Sequence, residues 1–196
     1  MPYRRTPAVQ ARLDAQRQAV LDAAIALLSE KGYAGCTMAA VADRAGIATG
    51  SMYKHFPSKA ALTVEVFRTV VTREVEAVAE AAQGPGDLNE RIVAIVETFA
   101  GRALRNPLLS YALLAEPVDP AVDAERLVFR RAFRDLIAGR ITEGIDAGLL
   151  PPQDAKLTAA SLVGAVAEAL VGPLSGESTD QETLQALTAF VTRALG

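Results

Sequence analysis

The chain has 196 residues, of which 51% are hydrophobic and 22% charged, with no Trp and aromatics at only 5%. Such a composition fits one sizeable globular core and excludes a disordered chain. The single cysteine, Cys36, excludes an internal disulfide, and nothing asks for an oxidising compartment.

The net charge of −3 is unevenly spread. Residues 1–60 carry eight basic groups against four acids, a balance of +4, which leaves −7 for the remainder. A local basic face matters more for nucleic-acid contact than an acidic total does. By itself the asymmetry fits solvated helix faces equally well. The start of the sequence is polar and basic, without the apolar segment of a secretory signal. No uninterrupted apolar run reaches the roughly 18 residues needed to span a bilayer, so the expected compartment is the cytoplasm, with no membrane partner.

Residues 1–12 read as a polar, Pro-containing arm, with Arg4 and Arg5 available to a nucleic-acid backbone. A first helix is predicted over Leu13–Lys31, with Val20, Ala24, Leu27 and Leu28 on one face and Gly32 as its end. Thr37 can cap a helix near Met38–Ala45, and Gly46 supplies the backbone freedom of a tight turn. Ile47 follows as an apolar plug. A further helix over Ser51–Phe56 turns Met52 and Phe56 inward and Tyr53, Lys54 and His55 outward. Pro57 ends that helix and Ser58 caps the next. Two short helices joined by a Gly turn are the geometry that presents one helix to the major groove.

A long helix, Lys59 to Ala82, is predicted to join this head to a body and to stop at Gly84-Pro85-Gly86. Ile92, Ile95, Val96 and Phe99 share a face of the next helix. Asn106-Pro107 opens a short helix with Leu109, Tyr111 and Leu114. Asp119-Pro120 opens a long one with Phe129, Phe133, Leu136, Ile137 and Ile141. After Gly148 and Pro151-Pro152 comes a helix over Ala155–Val171. Gly172-Pro173 and a polar loop then precede a final helix with Leu184, Leu187, Val191 and Leu195. The expected fold is all-α, with about nine helices: a three-helix head over 1–60 and a helical body over 61–196.

In the last two helices, Ala160, Val163, Gly164 and Ala167 form a small-residue stripe, and Leu184, Leu187 and Val191 an apolar face. Both fit a protomer core. They also fit a self-complementary two-fold interface, and a dimer would pair two recognition helices with two half-sites. Catalysis is poorly supported: His55 and Cys36 are the only residues of their kinds, and neither paired carboxylates nor metal-ligand spacings occur. No enzyme activity, metal or cofactor is expected. Cys36 fits a small packing residue or, next to Thr37, an oxidation-sensitive one.

The stretch AAIALLSEKGY followed by TMAAVADRAGIATGSMYKHFPSKAAL resembles the DNA-binding head of the tetracycline-repressor (TetR) family of bacterial transcriptional regulators. The resemblance implies phosphate contacts from Thr37, Tyr53, His55 and Lys59. It implies Ser51 and Lys54 in or beside the major groove, with Thr49 and Gly50 nearest the base edges. Many relatives carry Lys where this chain has Thr49, and a threonine hydroxyl specifies little. The resemblance also implies double-stranded DNA with a pseudo-palindromic operator as partner, a homodimer, and a ligand-controlled repressor. A small, largely apolar effector would sit in the body, with Phe67, Val71, Phe99, Tyr111, Leu114, Phe129 and Phe133 as candidate lining and Arg102, Arg105 and Glu116 as polar anchors. A helix-turn-helix protein acting through a protein partner would share the head but fill this core.

Overall fold

Thr6 opens the first helix, α1 (Pro7–Gly35), by accepting the Val9 N–H at 3.4 Å, while Pro7 brings a φ already suited to a first turn. The computed structural model describes residues 6–116, 119–176 and 180–196. The segment expected to be a polar arm is therefore helical from Pro7, ahead of the expected start at Leu13. Its polar side chains coat an exposed helix, with Gln10 donating to Asp14 at 2.9 Å. Arg4 and Arg5 lie outside the described residues. The regular path of α1 breaks at Gly32 (φ 64°), where the sequence ends the helix, before a short terminal turn.

The helix-turn-helix follows as α2 (Met38–Arg44) and α3 (Thr49–His55). Thr37 caps α2 by accepting from Ala40 N–H at 3.1 Å. Gly46, at φ 66°, takes the left-handed turn that few side chains tolerate, and Ile47 N–H returns to the Ala42 carbonyl at 3.0 Å. Ser58 caps α4 (Lys59–Ala81) through Ala61 N–H at 3.1 Å. Asp87 and Glu90 then form a reciprocal capping box at the start of α5 (Leu88–Arg105). The rest of the body is α6 (Pro107–Leu114), α7 (Pro120–Asp146), α8 (Ala155–Ala169), α9 (Val171–Ser175) and α10 (Asp180–Leu195).

The described residues thus hold ten helices, against the nine or so expected, and no strand. The extra element is α9, where Gly172-Pro173 was expected to open a loop. Pro173 lies in the first turn of α9, where its missing N–H costs little, and the chain leaves the helix at Gly176 instead. The span Ala155–Ser175 is long and apolar enough, by length and composition alone, to cross a membrane. Only 28% of its most apolar window is buried within the protomer, which leaves an apolar helix face at the surface.

Two hydrophobic cores organise the helices. The first joins Val20, Ala24, Leu28, Val41, Met52, Phe56, Leu62, Val66, Phe67 and Val71 with Leu109, Leu113 and Val122. The second joins Val78, Ile92, Ile95, Ile137, Ile141, Leu162, Leu170, Leu187, Val191 and Leu195. Phe133 packs against both. The first core does not part at residue 60: it continues along α4 and takes side chains from α6 and α7. Cys36 sits inside it, 3% exposed, and burial pushes its thiol pKa up, which suits a packing residue.

Met52 holds the recognition helix to this core with no exposed surface. Met52→Ala is expected to destabilise the protein by about 2–5 kcal/mol, read from the shift in a denaturant unfolding midpoint. A change under half that lower bound would mean that α3 is not anchored there.

Candidate nucleic-acid interface and effector cavity

The outer face of the head is set by what α3 buries. With Met52 and Phe56 inside, Thr49, Gly50, Tyr53 and Lys54 are exposed and Ser51 and His55 half-exposed. Ala48, at the cap position of α3, has no side-chain acceptor, so the first N–H groups of the helix stay open to an anion. Thr37 is exposed beside this face. Its oxygen accepts from α2, and its own O–H is left to donate. Tyr53 is 54% exposed, an amphipathic ring with no packing role. Seven of the eight residues singled out from the sequence are thus exposed or half-exposed in the helix-turn-helix.

Lys59 is placed differently. Its ammonium donates to the Tyr33 carbonyl at 2.9 Å and lies 3.7 Å from the centre of the Tyr33 ring. It ties the start of α4 to the end of α1. Other basic groups of the head are also occupied. Arg44 makes a two-pronged bond to Glu30 at 2.7 and 2.8 Å, which holds the Glu30 carboxyl below its ordinary pKa. Arg17 pairs with Glu65 at 3.0 Å and lies over the Phe56 ring. Lys54, by contrast, has no ion-pair partner among the described residues. Three of the eight basic groups, Arg17, Arg44 and Lys59, hold helices together, and Lys54 is the cation that the recognition helix presents.

Behind the head, α4, α5, α6, α7 and α8 enclose a cavity of about 380 Å³. Of the lining inferred from the sequence, Phe67, Val71, Phe99, Leu114, Phe129 and Phe133 line it. Phe67 meets Phe129 at 5.4 Å between ring centres, and Phe99 meets Phe133 edge-on at 5.2 Å. Tyr111 is not in the lining: it packs, half-buried, against the second core. Among the expected anchors, Arg102 and Arg105 reach the cavity and Glu116 does not. Arg102 is bound to Glu74 of α4 at 2.5 and 2.9 Å, and that contact keeps its pKa raised.

Several lining residues had no signal in the sequence. Arg126 donates to the carbonyls of Leu113 (2.7 Å), Ala112 (2.8 Å) and Glu116 (2.6 Å), closing the end of α6 onto α7. Asn106, between α5 and α6, lines the cavity and donates to Ser29 Oγ of α1 at 2.9 Å. Val163 and Ala167, read from the sequence as interface residues, also face the cavity. Of the remaining residues in that reading, Leu187 and Val191 are core, at 5% and 0% exposure, and Leu184 packs half-buried beside them. Ala160 and Gly164 are exposed, and a Cβ added at Gly164 would meet nothing within 4 Å.

The described residues thus place a capped helix-turn-helix on a helical body with an apolar cavity. Residues 20–66 match the family of bacterial regulatory proteins, tetR family. Over that segment the chain has a head of the TetR type. It is 37% identical over 100 residues to the HTH-type transcriptional repressor KstR of Rhodococcus jostii (strain RHA1), covering 50% of this chain and 45% of that one. The chain spans less than half the length of the KstR relatives it matches. A TetR transcription regulator from Haloarcula marismortui shares the fold with a TM-score of 0.80 at 22% identity, covering 93% of this chain and 97% of that one. The transcriptional regulator FadR from Bacillus subtilis, solved with stearoyl-CoA, gives 0.75 at 20% identity, covering 91% and 96%.

Removing the Lys59 ammonium should cost stability as well as any DNA contact. Lys59→Ala is expected to lower the melting temperature by about 2–6 °C, from the loss of one hydrogen bond and one cation–π contact. Tyr53→Ala should leave it within about a degree, as expected for an exposed side chain without partners. Equal melting temperatures for both variants would mean that Lys59 is not tied to Tyr33 in solution.

Proposed function

We propose that the chain is a homodimeric transcriptional repressor whose affinity for a pseudo-palindromic operator is set by a small, largely apolar effector in the body. The carrying observation is α4: Leu62, Val66 and Phe67 lie in the core that holds the recognition helix, while Phe67, Val70, Val71 and Glu74 wall the cavity. A ligand that spreads the cavity therefore acts on the helix that fixes the head. The hydrogen bond from Asn106 to Ser29 is a second route, from the α5–α6 junction directly to α1. The open cavity favours this reading over a head that acts through a protein partner. The stearoyl-CoA held by the similarly folded FadR supports a ligand there.

On DNA, Thr37, Tyr53 and His55 contact phosphates while Ser51, Lys54, Thr49 and Gly50 face the groove. Lys59 holds the head's geometry and reaches a phosphate only by leaving Tyr33. The dimer face is the outward side of α8 and α10. Leu157 at 65% and Phe190 at 38% exposure, with Ala160, Gly164 and Ala169, give it small and apolar character, and Leu187 and Val191 support it from inside.

Binding of the full chain to DNA from upstream of its own gene, or to sequences recovered by unbiased selection, tests the DNA half. The logarithm of affinity should fall with the logarithm of salt concentration, by about 0.9 for each phosphate neutralised. Tyr53→Ala should weaken binding about tenfold without loss of fold. A salt-independent affinity would overturn the reading. Gly164→Arg tests the dimer: it should give a folded monomer in light scattering, with operator affinity lost, whereas a dimer that persists places the interface elsewhere.

A further inference from the structure

The cavity is walled mainly by apolar side chains, yet its ionisable residues are four arginines and one acid. Arg102, Arg105, Arg126 and Arg130 reach it, and Glu74 is the sole carboxylate of the lining. Glu74 is already committed to Arg102. Arg126 is committed to three carbonyls and to Asp123, which lies outside the lining. Arg105 and Arg130 have neither an ion-pair nor a hydrogen-bond partner among the described residues, and both are exposed. They stand at the solvent side of a pocket whose depth is formed by Phe99, Phe133, Ile137 and Leu162.

A purely apolar ligand would fill the depth and leave the two unpaired guanidinium groups at the mouth without a counter-charge. An anion on the ligand supplies one, because a guanidinium bonds a carboxylate or phosphate through a charge-assisted fork. We infer that the effector is an amphiphilic anion, with an apolar tail among the aromatic rings and a carboxylate or phosphate head held by Arg105 and Arg130. The inference rests on the regulator reading above and narrows its effector from apolar to amphiphilic.

Calorimetric titration of the full chain with dodecanoate, dodecyl phosphate and dodecanol tests it, since the three share one tail. At least one anion should bind ten or more times tighter than dodecanol, and the tighter of the two identifies the head as carboxylate or phosphate. Arg105→Gln together with Arg130→Gln should bring the anions down to the level of dodecanol and leave dodecanol unchanged. Arg131→Gln, on the same helix but outside the lining, removes charge without touching the cavity and should preserve the preference. Dodecanol binding as tightly as both anions, an anion preference that survives the double variant, or no binding of any of the three overturns the inference. DNA binding measured on the same preparation separates the two claims. Intact, salt-sensitive operator binding with no anion preference removes the amphiphile and leaves the regulator; anion binding without any DNA binding removes the regulator.

Discussion

The helix Lys59–Ala81 contributes to both hydrophobic cores, as α7 does, and it alone of the two also packs with the buried side of the recognition helix in its first turns. Its first turns are buried with Met52 and Phe56, so the orientation of the recognition helix is fixed relative to α4. Its later turn carries Val78 into the second core. Between the two lies the cavity, in the stretch where α4 gives Phe67, Val70, Val71 and Glu74 to its wall. At about 1.5 Å of rise per residue, 23 helical residues span about 34 Å, so a small tilt at the cavity becomes a larger displacement at the head. Close-packed cores do not deform smoothly, which makes such a tilt a change between discrete packings.

Charge is divided by the same logic. Arg17 and Arg44 bind helices of the head to each other or to α4, and Arg68 pairs with Glu125 across α4 and α7 at 2.5 Å. These pairs are exposed, so each adds little to stability. On the outward side of α3, Lys54 has no ion-pair partner among the described residues, and the helix start has no side-chain cap. Counting basic residues in the first 60 overstates what faces DNA. Counting those without partners gives the more useful figure.

Much of this was legible in the sequence because local chemistry decides it. Thr37 and Ser58 cap the helices they were expected to cap, Asp119-Pro120 opens α7, and Gly46 takes the positive φ that its place in the turn demands. The start of α1 was also written, in the Thr6-Pro7 pair, but the polar side chains that coat its exposed first turns resemble those of a loose arm. What could not be read is which neighbour covers an apolar face. Leu187 and Val191 repeat at helical spacing whether they meet a partner protomer or their own core. Tyr111 and Leu114 lie three apart on a short helix and both pack against the second core, yet only Leu114 reaches the cavity. Arg126 showed no periodic signal because its partners are backbone carbonyls, which every residue has.

The recognition helix is held by Met52 and, just past its end, by Phe56, and the rest of its residues face solvent or half-face it. Anchor and address are thus written in separate letters of one short stretch. On the proposed DNA reading, replacing Thr49, Ser51 or Lys54 would alter what is read without disturbing what is packed, so new target sequences could be reached one substitution at a time behind the same cavity. Redirecting the protein to a chosen promoter is, on these grounds, a task for the surface of α3 alone.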